Sequence, residues 1–156
     1  MDDSLRPFLK EGMEQFKAVS AIAVLFQDQV HLLLKDILKR NKKWGIFKPN
    51  IAKIKKTIYW KAFPYLHIWL PGEINAKPVI IDIGISWYQA KGNYPFYFIK
   101  FANKFSDYDS ELNKLCSEDN AYSFDENGIR YNPDPKKFDI EGDFEKMISK
   151  FVKAIS

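Results

Sequence analysis

The sequence predicts an α+β fold made of a long N-terminal helix, a three-stranded antiparallel meander, a short helix, a β-hairpin and a C-terminal helix. Three observations lead to this prediction. Apolar residues recur every three or four positions near the N-terminus, and again near the C-terminus, which is the period of an amphipathic helix. Between these two stretches lies the run VIIDIGISWY, from Val79 to Tyr88, and its β-branched residues are typical of a central strand.

The composition is that of a single domain over residues 1–156, because 46% of the residues are apolar and 16% are aromatic, which is ample for one core. One cysteine, Cys116, excludes an internal disulfide and a cysteine-based zinc site. The charged N-terminus lacks the pattern of a signal peptide, and polar residues break the apolar stretch Ala18–Phe26 well before the roughly 20 residues that span a bilayer. We therefore expect a cytoplasmic protein without a membrane span and without a cofactor.

The N-terminal helix is predicted to follow Ser4, a suitable N-cap, and to end near Asn41. Its stripe is formed by residues three or four positions apart, namely Leu5, Leu9, Met13, Phe16, Val19, Ala23, Phe26, Val30, Leu33 and Ile37. Additional apolar residues widen the stripe at Ile22, Leu25, Leu32, Leu34 and Leu38. We therefore expect the second half of this helix to be more thoroughly buried than the first.

The middle of the chain is predicted to form the meander. Strands are expected at Ile58–Leu70, with Pro64 at an edge or bulge position, at Val79–Tyr88 and at Phe96–Ala102. The remaining segments are predicted to be connections, namely Lys42–Thr57 with one short helical turn, Pro71–Pro78 and Gln89–Pro95. Because the connections between the strands are short, sequential strands should pair antiparallel.

The last third of the chain completes the predicted fold. It comprises a short helix at Asp107–Glu118, a hairpin at Ala121–Tyr131 with Asn127-Gly128 as its type I′ turn, a loop at Asn132–Lys137, and a terminal helix from about Glu141. The two long helices are expected to pack on a sheet of three to five strands.

Period-2 alternation gives the central strand one fully apolar face and one face that carries Asp82 and Gly84. His67 on the first strand is predicted to lie on the same face as Asp82. His67, Asp82 and Lys100 are therefore candidate catalytic residues of an acid, base and cation site, and Asp82 is also a candidate metal ligand. The alternative is that Asp82 is a buried carboxylate, satisfied by His67 or Lys100 beneath the C-terminal helix.

The third strand brings Lys100 to this site through its register. If Tyr88 pairs with Phe96, Lys100 lies opposite Gly84 and diagonal to Asp82. Gly84 has no side chain and is expected to leave open space there.

The predicted order of helix, meander, helix and strand resembles the core of the PD-(D/E)XK nuclease-like superfamily. In that pattern an acid on the second strand and an acid-x-Lys on the third strand hold a divalent metal and activate water. The matching positions are Asp82 and the tripeptide Phe98-Ile99-Lys100, in which Phe98 replaces the second acid. Glu14 on the first helix would correspond to the accessory acid. The resemblance implies a degenerate, non-cutting relative.

Charge is unevenly distributed along the chain. Ten Lys or Arg residues and one Asp lie between Lys35 and Lys61, whereas twelve Asp or Glu residues and four Lys or Arg residues lie between Ser106 and Glu145. Such a split provides a basic surface for an anionic partner, or two halves that attract each other in the fold.

The basic segment also contains aromatic residues, a mixture that suits phosphate contacts, stacking on single-stranded bases or contact with lipid headgroups. The candidate anion-binding residues are Lys42, Lys43, Lys48, Lys53, Lys55 and Lys56. The alternative is a solvated lysine face over aromatic residues that cap the core.

No strong enzyme motif is present, because the chain has neither a glycine-rich phosphate loop nor a nucleophile elbow. We therefore expect a non-enzymatic binding protein, of the immunity or accessory type found in prokaryotic conflict systems, that acts on another protein through its charge-polarised surface. The second hypothesis is a nucleic-acid-binding protein or a degenerate PD-(D/E)XK-like nuclease. The partner and the oligomeric state are left open by the sequence.

Overall fold

One antiparallel sheet organises the protein, which we describe from a computed structural model covering residues 5–59, 65–86, 95–103, 105–137 and 139–156. Its strands are β1 (Phe47–Pro49), β2 (Lys55–Tyr59), β3 (Tyr65–Ile74), β4 (Lys77–Ser86), β5 (Phe96–Phe101), β6 (Tyr122–Phe124) and β7 (Gly128–Tyr131). The order across the sheet is β3, β4, β5, β7 and β6, and both β1 and β2 pair with the outer edge of β3. This confirms the predicted α+β fold and its meander, β3–β4–β5.

The strand boundaries differ from the prediction on both sides of β3. The single strand expected at Ile58–Leu70 is divided between β2 and β3, which pair antiparallel with each other. The expected turn at Pro71–Pro78 is mostly strand, because the chain reverses within Asn75-Ala76, where φ is 50° and 63°. A two-residue turn with positive φ matches the twist of the flanking strands. Because this turn is short, β3 and β4 both extend into the segment that was expected to be a turn. Pro64, Tyr88 and the predicted turn Gln89–Pro95, apart from Pro95 itself, lie outside the described residues.

The sheet has seven strands in the described part of the chain, more than the three to five expected. The segment predicted as a connection, Lys42–Thr57, contains the expected helical turn at Ile51–Lys53 but also supplies β1 and the start of β2. These strands have no clear sequence period. They form because β3 offers unpaired backbone groups along its outer edge, which strand pairing satisfies.

Among the described residues, three α-helices accompany the sheet: α1 (Leu5–Arg40), α2 (Asp109–Glu118) and α3 (Ile140–Ala154). All three are close to their predicted positions. The Asp139 side chain caps α3 by accepting a hydrogen bond from the Gly142 amide at 3.1 Å. The helices share one hydrophobic core with the apolar face of β4, formed by Val79, Ile81, Ile83 and Ile85. The opposite face of β4, which carries Asp82, is therefore turned away from α3.

Burial along α1 follows the expected gradient only in part. Val30, Leu34, Ile37 and Leu38 are buried in the core, which confirms that the second half is packed. The prediction is wrong for Ile22, Leu25 and Leu32, which remain exposed on the outer side of the helix. A helix that packs against a sheet on one side buries only one stripe of its surface. These apolar residues lie outside that stripe and therefore face away from the core.

The C-terminal hairpin forms as predicted, but its turn is shifted by one residue. Positive φ occurs at Glu126 (37°) and Asn127 (65°), so the turn is not Asn127-Gly128. Gly128 is the first residue of β7. A Cβ at Gly128 would collide with the Lys100 side chain and the Ile99 carbonyl, so glycine is required there by the close approach of β5.

Candidate functional site

His67, Asp82 and Lys100 converge on one face of the sheet, as the alternation predicts. The register between β4 and β5 differs from the prediction by two residues, because Ser86 pairs with Phe96. Lys100 therefore lies directly opposite Asp82 rather than Gly84. An even shift leaves every side chain on its predicted face, which is why the convergence survives the error.

Asp82 and His67 form a buried hydrogen-bonded pair. The Nδ1 atom of His67 donates to Oδ1 of Asp82 at 2.5 Å, and the two residues are only 3% and 8% exposed, respectively. Nε2 of His31, on the buried stripe of α1, lies 3.3 Å from the backbone carbonyl of His67, which accepts from it. The pairing of Asp82 with His67 matches the structural alternative, but its expected position beneath α3 is wrong, because α3 packs on the other face.

Gly84 does not leave open space beside this pair. It lies between His67 on β3 and Phe98 on β5 in the cross-strand register. A Cβ at Gly84 would approach Cβ of His67 to 2.6 Å and Cζ of Phe98 to 2.8 Å. The two neighbouring side chains already fill the position, so Gly84 acts as a packing residue.

A small polar cavity of about 170 Å³ lies next to the pair. It is lined by Asp82, Ser86, Phe96, Phe98, Lys100, Asp125 and Arg130. Lys100 is half-buried there. The guanidinium of Arg130 donates from Nε to Asp125 at 2.6 Å and stacks over the Phe96 ring, 4.9 Å from its centroid. The cavity thus combines two carboxylates with two cations.

Arg130 and Asp125 are the lining residues that sequence reasoning missed. Both lie on the C-terminal hairpin, whose pairing with β5 the sequence does not specify. Arg130 pairs with Phe98 across the sheet, and its alternation with Ile129 and Tyr131 is the signal that could have placed it on the polar face.

These residues do not fit the divalent metal that the PD-(D/E)XK resemblance implies. Hard cations require several oxygen ligands, but Asp82 is hydrogen-bonded to His67, and Asp125 is paired with Arg130. Phe98 supplies no ligand, and Glu14 is exposed on α1. Within the described ranges, no three His, Cys, Asp or Glu side chains cluster in a way that could hold a metal.

A second buried polar group lies on the helix side of the sheet. The Tyr131 hydroxyl donates to Asp143 of α3 at 3.2 Å, and Lys146 Nζ donates to the same hydroxyl at 3.3 Å. Burial raises the pKa of the Asp143 carboxyl, and it also raises the pKa values of Tyr97 and Tyr122 beside it. Because these groups are enclosed between α3 and the sheet, we assign them a structural role.

Cys116 lies buried on α2, and burial raises the pKa of its thiol to about 11. We expect it to react with Ellman's reagent at pH 8 at least about a hundredfold more slowly than free cysteine, because little thiolate forms well below the pKa. Stopped-flow absorbance measures this rate, and the urea-unfolded chain is the control that should react normally. Fast reaction in the folded state would contradict an enclosed thiol.

The basic segment presents its lysines to solvent and keeps its aromatic residues inside. Five lysines of this segment are exposed and have no ion-pair partner among the described residues. They are Lys42, Lys43, Lys48, Lys53 and Lys55. The side chain of Lys56 lies outside the described part. Trp44 and Phe47 are buried in the core. Their rings pack edge to face, with 5.7 Å between the ring centroids. These two rings are therefore not available for stacking on bases.

A groove of about 690 Å³ lies between the end of α1 and α3. Its lining contains the cationic side chains of Arg40, Lys42, Lys43 and Lys153 and the single acidic side chain of Glu145. Apolar lining comes from Ile37, Trp44, Ile148 and Val152. The groove therefore combines apolar surface with a predominantly basic rim.

Many of the acidic side chains, in contrast, are neutralised within the protein. Arg40 pairs with Glu141 at 2.6 Å and with Glu145 at 3.5 Å, which connects the basic and acidic halves of the chain. Asp119 pairs with Lys150 at 3.5 Å. The two halves therefore attract each other in part, as one of the alternatives predicts, while the lysines remain available.

The segment Glu11–Arg40 of α1 is long and apolar enough, by length and composition, to cross a membrane. Core helices of soluble proteins and signal sequences share these properties. About a quarter of its most apolar window, 24%, is buried within the protein. The absence of a membrane span stays a prediction.

Comparison of the chain with protein-family models, with curated proteins and with solved structures finds no match. The resemblance to PD-(D/E)XK nucleases therefore rests on the sequence order alone. The fold and the sites define an α+β protein with a seven-stranded antiparallel sheet in its described part, a buried His–Asp pair on one sheet face, and a basic groove between two helices.

Proposed function

We propose that this chain is a non-enzymatic binding protein whose basic groove receives an acidic segment of a partner protein. The observation that carries the proposal is the composition of the groove: four cationic side chains against one carboxylate, over apolar surface from α1 and α3. Apolar surface with a charged rim is the usual anatomy of a protein interface. Opposite charge on the partner would steer association and fix its orientation.

The polar cavity beside Asp82 gives less support to an enzyme. Its carboxylates are already bonded to His67 and Arg130, and the cavity of about 170 Å³ is smaller than the roughly 300 Å³ of ordinary ligand pockets. Buried polar groups of a folded protein are generally hydrogen-bonded to one another, so these bonds are expected without any catalytic role.

Nucleic-acid binding is the second candidate, and the exposed Lys48, Lys53 and Lys55 favour it. Phosphate contacts require only such lysines. Because Trp44 and Phe47 are buried, any such binding would rest on charge without stacking by these rings. We therefore rank an acidic protein partner first.

The test compares two charge-reversal triples of equal net charge. The groove triple is Lys42→Glu, Lys43→Glu and Lys153→Glu. The matched control is Lys114→Glu, Lys136→Glu and Lys137→Glu, whose lysines are exposed in the acidic half. The probe is a fluorescein-labelled peptide of alternating Glu and Leu pairs, and its affinity is measured by fluorescence anisotropy at several salt concentrations.

We expect binding that weakens with salt, and a loss of at least about tenfold in the groove triple, because each reversal removes an attraction and adds a repulsion. The control triple should change affinity by less than about threefold. Equal losses in both triples would show that only net charge matters, which contradicts a groove. Tighter binding of oligothymidylate, lost in Lys53→Glu with Lys55→Glu, would favour the nucleic-acid candidate.

A further inference from the structure

The outer side of α1 carries an apolar seam that no described element covers. It consists of four apolar residues, Ala18, Ile22, Leu25 and Leu32, and one polar residue, Gln29, and all five are exposed. Ile22 is 66% exposed, Leu25 64% and Leu32 56%, which is unusual for large apolar residues of a domain whose core is complete. The alternating steps of four and three residues are those of a coiled-coil seam.

The seam and the packed stripe lie on opposite sides of the same helix. At 100° per residue, Leu25 is roughly 180° around the axis from the middle of the buried stripe. That stripe is formed by Gln27, Val30, His31, Leu34, Ile37 and Leu38. A second helix could therefore lie along the seam without displacing the contacts between α1 and the core. The seam is accessible in the folded protein.

We infer that α1 pairs with α1 of a second copy of this chain, in antiparallel orientation, through this outer seam. A two-fold axis between Ile22 and Leu25 sets Ile22 against Leu25 of the second copy, and Ala18 against Gln29. The same patch serves both chains, as a two-fold interface requires. This pairing does not depend on the proposed function of the basic groove.

The charges beside the seam select the antiparallel orientation. In that orientation, the positions flanking the seam place Glu14 next to Lys35 of the second copy, twice per dimer by symmetry. Both side chains are exposed, and neither has an ion-pair partner among the residues described. A parallel pair in register would instead place Glu14 beside Val19 and Lys35 beside Arg40, which is already paired with Glu141 and Glu145. Neither Glu14 nor Lys35 would then gain an opposite charge.

The positions on the other side of the seam, opposite those of Glu14 and Lys35, carry apolar residues. Val19 of one copy lies beside Phe26 of the other, and both have a substantial exposed fraction. A membrane is a less suitable occupant, because Glu14, Lys35 and Gln29 lie on or beside the seam. The packed half of α1 would also have to leave the core to cross a bilayer.

The first experiment measures the mass of the full chain by sedimentation equilibrium. At about 100 µM we expect a dimer, with twice the 18.3 kDa of the single chain, because association is driven by concentration. Leu25→Lys should weaken dimerisation by at least about a hundredfold, since a charge replaces a central seam residue. The matched control is Val24→Lys, at an exposed apolar position off the seam (54% exposed), which should remain dimeric. Far-ultraviolet circular dichroism checks that both variants are folded.

The second experiment tests the orientation by exchanging charges. Glu14→Lys and Lys35→Glu should each weaken the dimer about tenfold. Mixing the two single variants should restore it, because both flanking contacts of the heterodimer then join opposite charges. A monomeric wild-type chain, a dimer insensitive to Leu25→Lys, or single variants that fail to complement each other would overturn the inference. Flotation of a monomeric chain with phosphatidylcholine and phosphatidylglycerol vesicles would identify a membrane as the occupant instead.

Discussion

Gly84→Ala is expected to lower the free energy of unfolding by about 3 kcal/mol, at the upper end of the usual cost of overpacking. The added Cβ would collide with the backbone carbonyl of Leu66 and approach Cβ of His67 to 2.6 Å. A carbonyl that is fixed in strand pairing cannot rotate away as a flexible side chain can. The strain must therefore be relieved by separating β3 from β4 at the centre of the sheet. Urea unfolding followed by circular dichroism measures the change.

Gly12→Ala is the matched control for this substitution. Gly12 lies in the exposed part of α1, and a Cβ there meets nothing within 4 Å. Alanine in an exposed helix is favoured over glycine by about 1 kcal/mol, so this variant should be more stable than the wild type. If Gly84→Ala cost less than about 1 kcal/mol, the close packing of His67 and Phe98 around Gly84 would be contradicted.

Asp82→Ala is expected to cost about 3 kcal/mol of stability, because it leaves the buried Nδ1 of His67 without its acceptor. The carboxylate and the imidazole are 2.5 Å apart and almost fully enclosed. Asp125→Ala is the control, since Asp125 also accepts a short hydrogen bond, from Arg130 at 2.6 Å, but is only half-buried. The control should cost no more than about 1 kcal/mol. Chemical unfolding of both variants provides the comparison.

The double variant His67→Ala with Asp82→Ala separates pairing from packing. We expect it to be less destabilised than the sum of the single variants by about 1–3 kcal/mol, as for residues in direct contact. Additive losses would contradict a hydrogen-bonded pair.

A magnesium-dependent cleavage assay on single-stranded and duplex DNA should show no activity in the wild-type chain. Cleavage that Asp82→Asn abolishes would favour the nuclease hypothesis.

The candidate site shows where sequence reasoning succeeds and where it stops. The side of the sheet on which His67, Asp82 and Lys100 lie follows from alternation, which depends on neighbouring residues only. Their partners do not follow from it. Whether Lys100 lies opposite Gly84 or Asp82 depends on the connection between β4 and β5, and Arg130 reaches the cavity through a hairpin that is distant in sequence.

The same limit explains the errors in the fold. Periodicity located α1, α2 and α3, because a helix is built from contacts between residues three or four apart. It did not locate β1 and the start of β2, since these strands form on the free edge of β3 and have no pattern of their own.

By itself, the sequence determined the α+β class, the helices, the antiparallel meander, the face of the central strand that carries Asp82 and the separation of charge along the chain. Only the tertiary structure decided that Asp82 is bonded to His67, that Phe98 and His67 fill the position beside Gly84, and that Ile22, Leu25 and Leu32 face outward. The reason is that an apolar pattern shows which residues can be buried. Whether they are buried depends on how many other helices and strands pack around that helix. That difference leaves α1 with an apolar face available for a second copy of the chain.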